Sequence, residues 1–298
     1  MMRNRISPLI VGLCLITLLL SQPLMAQEPL LMDLPYGTDF YNPASYREGQ
    51  YVDVWARYQL ESGNYSQPSN VGRGLSVPEA LQMGAAYSGY RNASRPKGSE
   101  AGVHHYGAMF RYSGLSFARL PQIEGRYAYE WIMKGGKHRV SLGGAVSLIV
   151  APYTWDNTNY VTALPDIHIG MTYRYKGFTL GASLRNIIGD AIADSSTVLM
   201  RERKGYLYWS FEAWVADKVA FTPHMLMAYG ERTSQFELGL MLNIMRYVEV
   251  GYTFRAVKVG HIFQLGLPIY KGLRLDAAYE YSQVVSRHNI QVSLTYQW

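Results

Sequence analysis

Residues 167–186 read IHIGMTYRYKGFTLGASLRN and constrain the fold more than any other stretch. Ile167, Ile169, Met171, Tyr173 and Tyr175 fall on one face, and His168, Gly170, Thr172 and Arg174 fall on the other. Lys176-Gly177 has the make-up of a tight hairpin turn. Phe178, Leu180, Ala182 and Leu184 then resume the apolar face, with Thr179, Gly181, Ser183 and Arg185 on the polar one. A polarity period of two means a strand with one dry and one wet face. Each arm runs about ten residues, the reach of a tilted strand through a bilayer and longer than the usual globular five or six.

The pattern recurs at 235–244, 248–255 and 273–281, and less cleanly at 207–215, where Trp214 falls on the polar side. Further strands are expected near 51–58, 75–90, 103–117, 123–133, 139–150, 219–229 and 259–267, giving roughly fourteen, an even number as in bacterial barrels. Alternation places Arg126, Glu130, Arg174, Arg185, Glu212, Glu237, Glu249, Arg255, Arg274, Asp276 and Glu280 on polar faces, with Arg111 and Glu124 beside them. An arginine or lysine facing lipid at midplane would cost ~2–4 kcal/mol. The apolar faces are therefore the ones suited to hydrocarbon. A soluble sandwich would need one dry core for some fourteen apolar faces, and two layers of such long strands are uncommon.

The expected fold is all-β, a transmembrane antiparallel up-and-down β-barrel of about 14 strands, closed because lipid tolerates no unpaired strand edge. The eleven polar-face charges named first form a candidate lumen network. Their signs nearly balance, which suits bridging and narrowing a lumen, whereas an ion-selective porin more often shows one sign at its constriction. A lumen partly closed by side chains or by the N-terminal segment is expected.

Arg3 and Arg5 precede the apolar run 9–20, and Pro23-Leu24-Met25-Ala26-Gln27 closes it, the parts of a cleaved secretory signal. The run is far short of the ~20 residues of a membrane-spanning helix. Residues 1–26 are read as the signal peptide, 27–50 as a periplasmic N-terminal segment and 51–298 as an outer-membrane barrel. Leu24, large for its place three before the cut, leaves the cleavage site movable by a few positions. Cys14, the single cysteine, leaves with the signal, so the exported chain has no disulfide and no thiolate chemistry. The net charge of +6 is mild and scattered, and no basic run exceeds Arg201-Glu202-Arg203-Lys204, which argues against nucleic acid as a partner.

The C-terminal IQVSLTYQW alternates Ile290, Val292, Leu294, Tyr296 and Trp298 with four polar residues. A last strand ending at the membrane interface needs no solvated tail, and Tyr296 and Trp298 suit an aromatic girdle. With both barrel ends on the periplasmic side, Gly135-Gly136, Lys176-Gly177, Ala216-Asp217-Lys218, Met245-Arg246 and Lys271-Gly272 become periplasmic turns. Segments 151–165, 187–204 and 282–288 become longer external loops, the bacterial pattern. Segment 91–102 falls on the periplasmic side although long for a turn.

No catalytic motif emerges. The seven histidines show no metal-ligand spacing, and the context of the serines selects none as a nucleophile. Neither a cofactor nor an enzyme activity is expected.

Tyr41-Asn42-Pro43-Ala44, just before the first strand, resembles the mature N-terminal Asn-Pro-Ala segment of the PorP/SprF family of the type IX secretion system of Bacteroidota. The resemblance continues through Arg126-Tyr127-Ala128-Tyr129, Leu164-Pro165-Asp166-Ile167-His168-Ile169-Gly170, Leu180-Gly181-Ala182-Ser183-Leu184-Arg185-Asn186, Gly251-Tyr252-Thr253-Phe254-Arg255 and Ala278-Tyr279-Glu280-Tyr281. Here Ser45-Tyr46-Arg47-Glu48 intervenes before Gly49, where family members continue with small residues and glycine.

The resemblance implies a non-enzymatic outer-membrane component that helps export or surface-attach proteins with a C-terminal sorting domain, in some members gliding adhesins. Implied partners are outer-membrane lipid, periplasmic lipoprotein and ring components of the machine, and the sorting-domain clients. Tyr296 and Trp298 resemble the signal read by the barrel assembly machinery. Asn42, Pro43 and Ala44, and Arg201, Arg203 and Lys204 in the 187–204 loop, are candidate partner contacts. Their alternatives are an Asn-Pro turn that starts the wall and a solvated loop. The rival function is a channel or transporter for apolar or small solutes, resembling fatty-acid barrels.

Overall fold

The computed structural model describes residues 42–46, 51–63, 79–90, 101–114, 119–133, 136–155, 158–188, 191–193, 198–200, 203–216, 218–230, 234–245, 247–256, 259–283 and 287–297. The expected signal peptide, Arg201 and Trp298 lie outside them. The strands are β1 (Tyr51–Gly63), β2 (Glu79–Tyr90), β3 (Ala101–Gly114), β4 (Arg119–Met133), β5 (His138–Trp155), β6 (Thr158–Tyr175), β7 (Phe178–Arg185), β8 (Ala191–Ala193), β9 (Val198–Met200), β10 (Lys204–Phe211), β11 (Ala213–Ala216), β12 (Val219–Gly230), β13 (Ser234–Ile244), β14 (Val248–Arg255), β15 (Gly260–Tyr270), β16 (Leu273–Ser282) and β17 (Arg287–Gln297).

Neighbours pair antiparallel around a closed circuit. β1 bonds β2 on one side and β17 on the other, from Asp53↔Gln297 to Gly63↔Arg287, while β10 bonds both β7 and β12. β8 and β9 form a separate small hairpin. β10 and β11 together make one interrupted strand, which gives a fourteen-stranded wall.

The interruption has a local cause. Between Ser210↔His224 and Ala213↔Phe221, Phe211 and Glu212 stand opposite Pro223 and Thr222. Proline brings no N–H to a ladder. The other strand prolines obey the same constraint: Pro121 and Pro152 lie beyond the last β4–β5 pair, Gln122↔Ile149, and Pro165 beyond the β6–β7 pair Ile169↔Leu184. Pro268 marks a register shift against β16.

The wall is inside-out relative to a soluble protein. In β17, Ile290, Val292, Leu294 and Tyr296 are 41–46 % exposed, whereas Asn289, Gln291, Ser293 and Thr295 are at most 2 % exposed. The alternation in sequence is thus an alternation between the surrounding lipid and the lumen.

The connections refine the expected topology. Lys176 adopts a left-handed φ of 52° in the Lys176-Gly177 turn, and Gly272 has φ of 75°, where an added Cβ would meet the Gln297 carbonyl oxygen at 2.1 Å. Segment 151–165 is not a loop: β5 and β6 stay paired as far as Trp155↔Thr158, with Asp156-Asn157 between them. Both arms there are rich in residues of high strand propensity. Segment 187–204 carries β8 and β9, and the last long connection narrows because β17 begins at Arg287. Among the described residues no helix is long and apolar enough to cross a membrane, so the crossing is made by strands.

Candidate functional site

The lumen holds two kinds of feature, clustered ion pairs and a docked turn. Four clusters sit on two arcs of the wall. On β4–β7, Glu124 accepts from Arg126 at 2.8 Å and from Arg185 at 2.7 Å. His168 Nε2 lies 3.6 Å from Glu124 and 3.1 Å from Ser147 Oγ. The Asn186 amide donates to His168 Nδ1 at 3.0 Å, which leaves the imidazole proton on Nε2, the nitrogen turned toward Ser147 and Glu124. Nearer the short turns, Glu130 faces Arg174 at 3.5 Å, His105 at 3.6 Å and Arg139 at 3.8 Å.

On β13–β17, Arg255 bridges Glu237 and Glu280, each at 2.6 Å, and Asn289 also donates to Glu280. Arg274 makes a bidentate pair with Glu249 at 2.5 and 3.0 Å and donates from Nε to Asp276 at 2.6 Å. Forked guanidinium geometry of this kind fixes two strands together and balances charge at the point where it is buried.

Ten of the eleven expected lumen residues therefore sit in these clusters. Glu212 does not. It is exposed, its amide donates to the Gly177 carbonyl at 2.9 Å, and its carboxylate accepts from Trp214 Nε1, because the Pro223 break places it at the short-turn end. Lys204 is buried and Arg203 is exposed, donating to the Ile188 carbonyl at 3.4 Å. Tyr296 lies on the lipid-facing side of β17.

The docked turn is Asn42–Tyr46, inside the barrel. The Ser45 amide donates to the Asn42 carbonyl at 3.0 Å, and the Ala44 amide donates to Asn42 Oδ1 at 2.9 Å, an Asx turn stacked on a β-turn. Proline after asparagine presets the turn's φ. The other end of the same amide faces the wall, where Asn42 Nδ2 donates to the Met171 carbonyl at 2.8 Å and to Thr172 Oγ1 at 3.1 Å. Tyr46 stacks on His105 with ring centroids 4.5 Å apart, and Arg174 donates to the Tyr46 carbonyl.

Three glycines on adjacent strands make the bay that receives it. A Cβ on Gly143 would meet Pro43 O at 2.6 Å, one on Gly170 would meet Asn42 Oδ1 at 2.0 Å, and one on Gly181 would meet Asn42 Nδ2 at 3.0 Å. Asn42, Pro43 and Ala44 are all buried in this seat, so the side chains expected to touch a partner touch the wall.

The seven histidines divide cleanly. His105, His168 and His224 face the lumen, at most 1 % exposed, and His224 Nε2 lies 2.9 Å from Thr253 Oγ1. His104, His138, His261 and His288 each place Nδ1 2.6–2.8 Å from a tyrosine hydroxyl, those of Tyr127, Tyr173, Tyr252 and Tyr279. Such pairs suit the interface, where an aromatic body meets hydrocarbon and a polar tip meets headgroups. Tyr252→Phe should cost only about 0.5–1.5 kcal/mol in urea unfolding of the folded barrel, the net worth of one hydrogen bond.

Ser88, His105 and Glu130 form a Ser–His–Glu chain, with Ser88 Oγ 2.7 Å from His105 Nδ1. Ser88 is fully buried and the Tyr46 ring lies on the imidazole, so the chain stitches β2, β3 and β4 and offers no open nucleophile. Among the described residues no group of His, Cys, Asp and Glu could hold a metal.

The model of the family described as type IX secretion system membrane protein PorP/SprF matches residues 27–297. The chain belongs to the PorP/SprF family. It is accordingly a type IX secretion membrane protein of the outer membrane. Among curated proteins none matches. Similar solved structures include Omp33 of Acinetobacter baumannii, with 8 % identity, TM-score 0.49 and coverage of 84 % of this chain and 98 % of that one. The Ralstonia pickettii toluene transporter TbuX shows 10 % identity, TM-score 0.49 and coverage of 88 % and 92 %. The translocator domain of the Neisseria meningitidis autotransporter NalP shows 12 %, 0.38, 87 % and 91 %.

Proposed function

We propose that this PorP/SprF barrel is a non-enzymatic accessory of type IX secretion that assists export or surface attachment of proteins bearing a C-terminal sorting domain. The observation that carries the reading is the family match over residues 27–297. The lumen is compatible with it: across the four clusters six arginines face six carboxylates, with arginine in excess on one arc and carboxylate on the other, so those clusters present no ring of one sign of the kind that selects ions. A rigid wall with mostly short turns at one end, the 91–100 connection excepted, and the 187–204 connection at the other lets machine and client bind opposite ends. The proposed machine partners are periplasmic lipoprotein and ring components. The 187–204 connection, with β8, β9 and the exposed Arg203, is the proposed client contact.

Deleting the gene should leave sorting-domain clients in the periplasm while other outer-membrane barrels assemble normally. Normal secretion of every such client would reject the proposal. Strong solute uptake by purified protein in liposomes would favour a transporter instead.

A further inference from the structure

We propose that Gly143, Gly170 and Gly181 form a receptor for the Asn42-Pro43-Ala44 turn, and that the turn is a releasable stopper inside the barrel. The inference does not depend on the secretion reading. It rests on a fit between a specific turn and a specific hollow.

Each residue of the turn has a chemical reason. Asn42 uses its carbonyl oxygen to fold the turn, through the Ala44 amide, and its NH2 to hold the wall, through Met171 and Thr172. Aspartate would lack the donor, and alanine would lack both functions. Pro43 packs with Cδ 3.0 Å from the Cβ position of Gly170, and the Cα of Ala44 lies 2.8 Å from the Cβ position of Gly143. The hollow follows from register: Gly143 pairs with Gly170, and Gly181 pairs with Thr172 on the same β6. The ligand class is therefore an asparagine-proline turn followed by a small residue.

Release is feasible because residues 42–46 take no part in any strand pairing of the wall. Withdrawing them breaks contacts that include the Asn42 bonds to Met171 and Thr172, the Arg174 bond to Tyr46 and the ring stack on His105, and leaves every wall ladder intact. A switch needs an element that moves without unfolding its frame.

The exported chain has no cysteine of its own, which makes the test clean. In the full mature protein, Tyr46→Cys with His105→Cys should be joined within one molecule by a short bifunctional thiol reagent, since the two rings stack with centroids 4.5 Å apart. Tyr46→Cys with Gly125→Cys should not, since nothing lies within 4 Å of a Cβ at Gly125. The Tyr46–His105 pair lies outside the glycine bay, so no added Cβ expels the turn. In planar bilayers the cross-linked protein should conduct about tenfold less than folded Gly170→Leu, whose side chain evicts the turn. Folding of each variant is checked by heat-dependent gel migration. Failure of the Tyr46–His105 pair to cross-link would overturn the docking. Cross-linking with equal conductance in the locked and Gly170→Leu proteins would overturn the stopper.

Discussion

Glu124→Ala is expected to destabilise the folded barrel by about 3–5 kcal/mol, the cost of leaving buried cations without their counter-charge. Glu124 is 1 % exposed, and both Arg126 and Arg185 point their guanidiniums at it. Removing the carboxylate leaves the positive charges of β4 and β7 facing each other across the lumen, with His168 losing its acceptor neighbour as well. Glu124→Gln keeps the shape and two polar atoms but not the charge, so it should recover only part of the loss. Adding Arg185→Leu to Glu124→Ala should restore stability relative to Glu124→Ala alone, because one orphaned charge disappears. Urea midpoints in detergent, read by gel migration, measure each step. A loss below about 1 kcal/mol for Glu124→Ala would mean that water screens the cluster as it screens a surface pair.

Gly170→Leu is expected to expel the turn outright. A Cβ alone would stand 2.0 Å from Asn42 Oδ1, and the asparagine cannot retreat while it donates to Met171 and Thr172 on the same strand. The amides of Ala44 and Ser45, protected by bonds to Asn42, should exchange with solvent about a hundredfold faster, equivalent to ~2.7 kcal/mol of lost local stability. Asn42→Ala should produce much of the same acceleration, and adding it to Gly170→Leu should add almost nothing, since both changes remove one docking event. Additive effects would show that Asn42 stabilises the turn independently of the bay.

How much of this was legible in the sequence follows from what each residue depends on. Alternation along a strand is a property of neighbours in the chain, so the inward set Arg126, Glu130, Arg174, Arg185, Glu237, Glu249, Arg255, Arg274, Asp276 and Glu280 could be assigned to a face before any strand was paired. Glu212 escaped that logic because its position depends on Pro223, eleven residues away, which breaks the ladder opposite it. The 151–165 segment escaped it because its two prolines, Pro152 and Pro165, occupy strand sites beyond a neighbouring ladder, which only the pairing of the strands reveals.

The sequence by itself determined that these strands must close around a polar lumen, since an open edge or an outward arginine is too costly in hydrocarbon. Only the tertiary structure decided which charges meet and where the Asn-Pro-Ala turn goes. Glu124 joins Arg185 across sixty-one positions, and Asn42 joins Thr172 across one hundred and thirty. Such pairings are set by strand register around the whole circuit, and three inward glycines become a bay only when register brings them side by side.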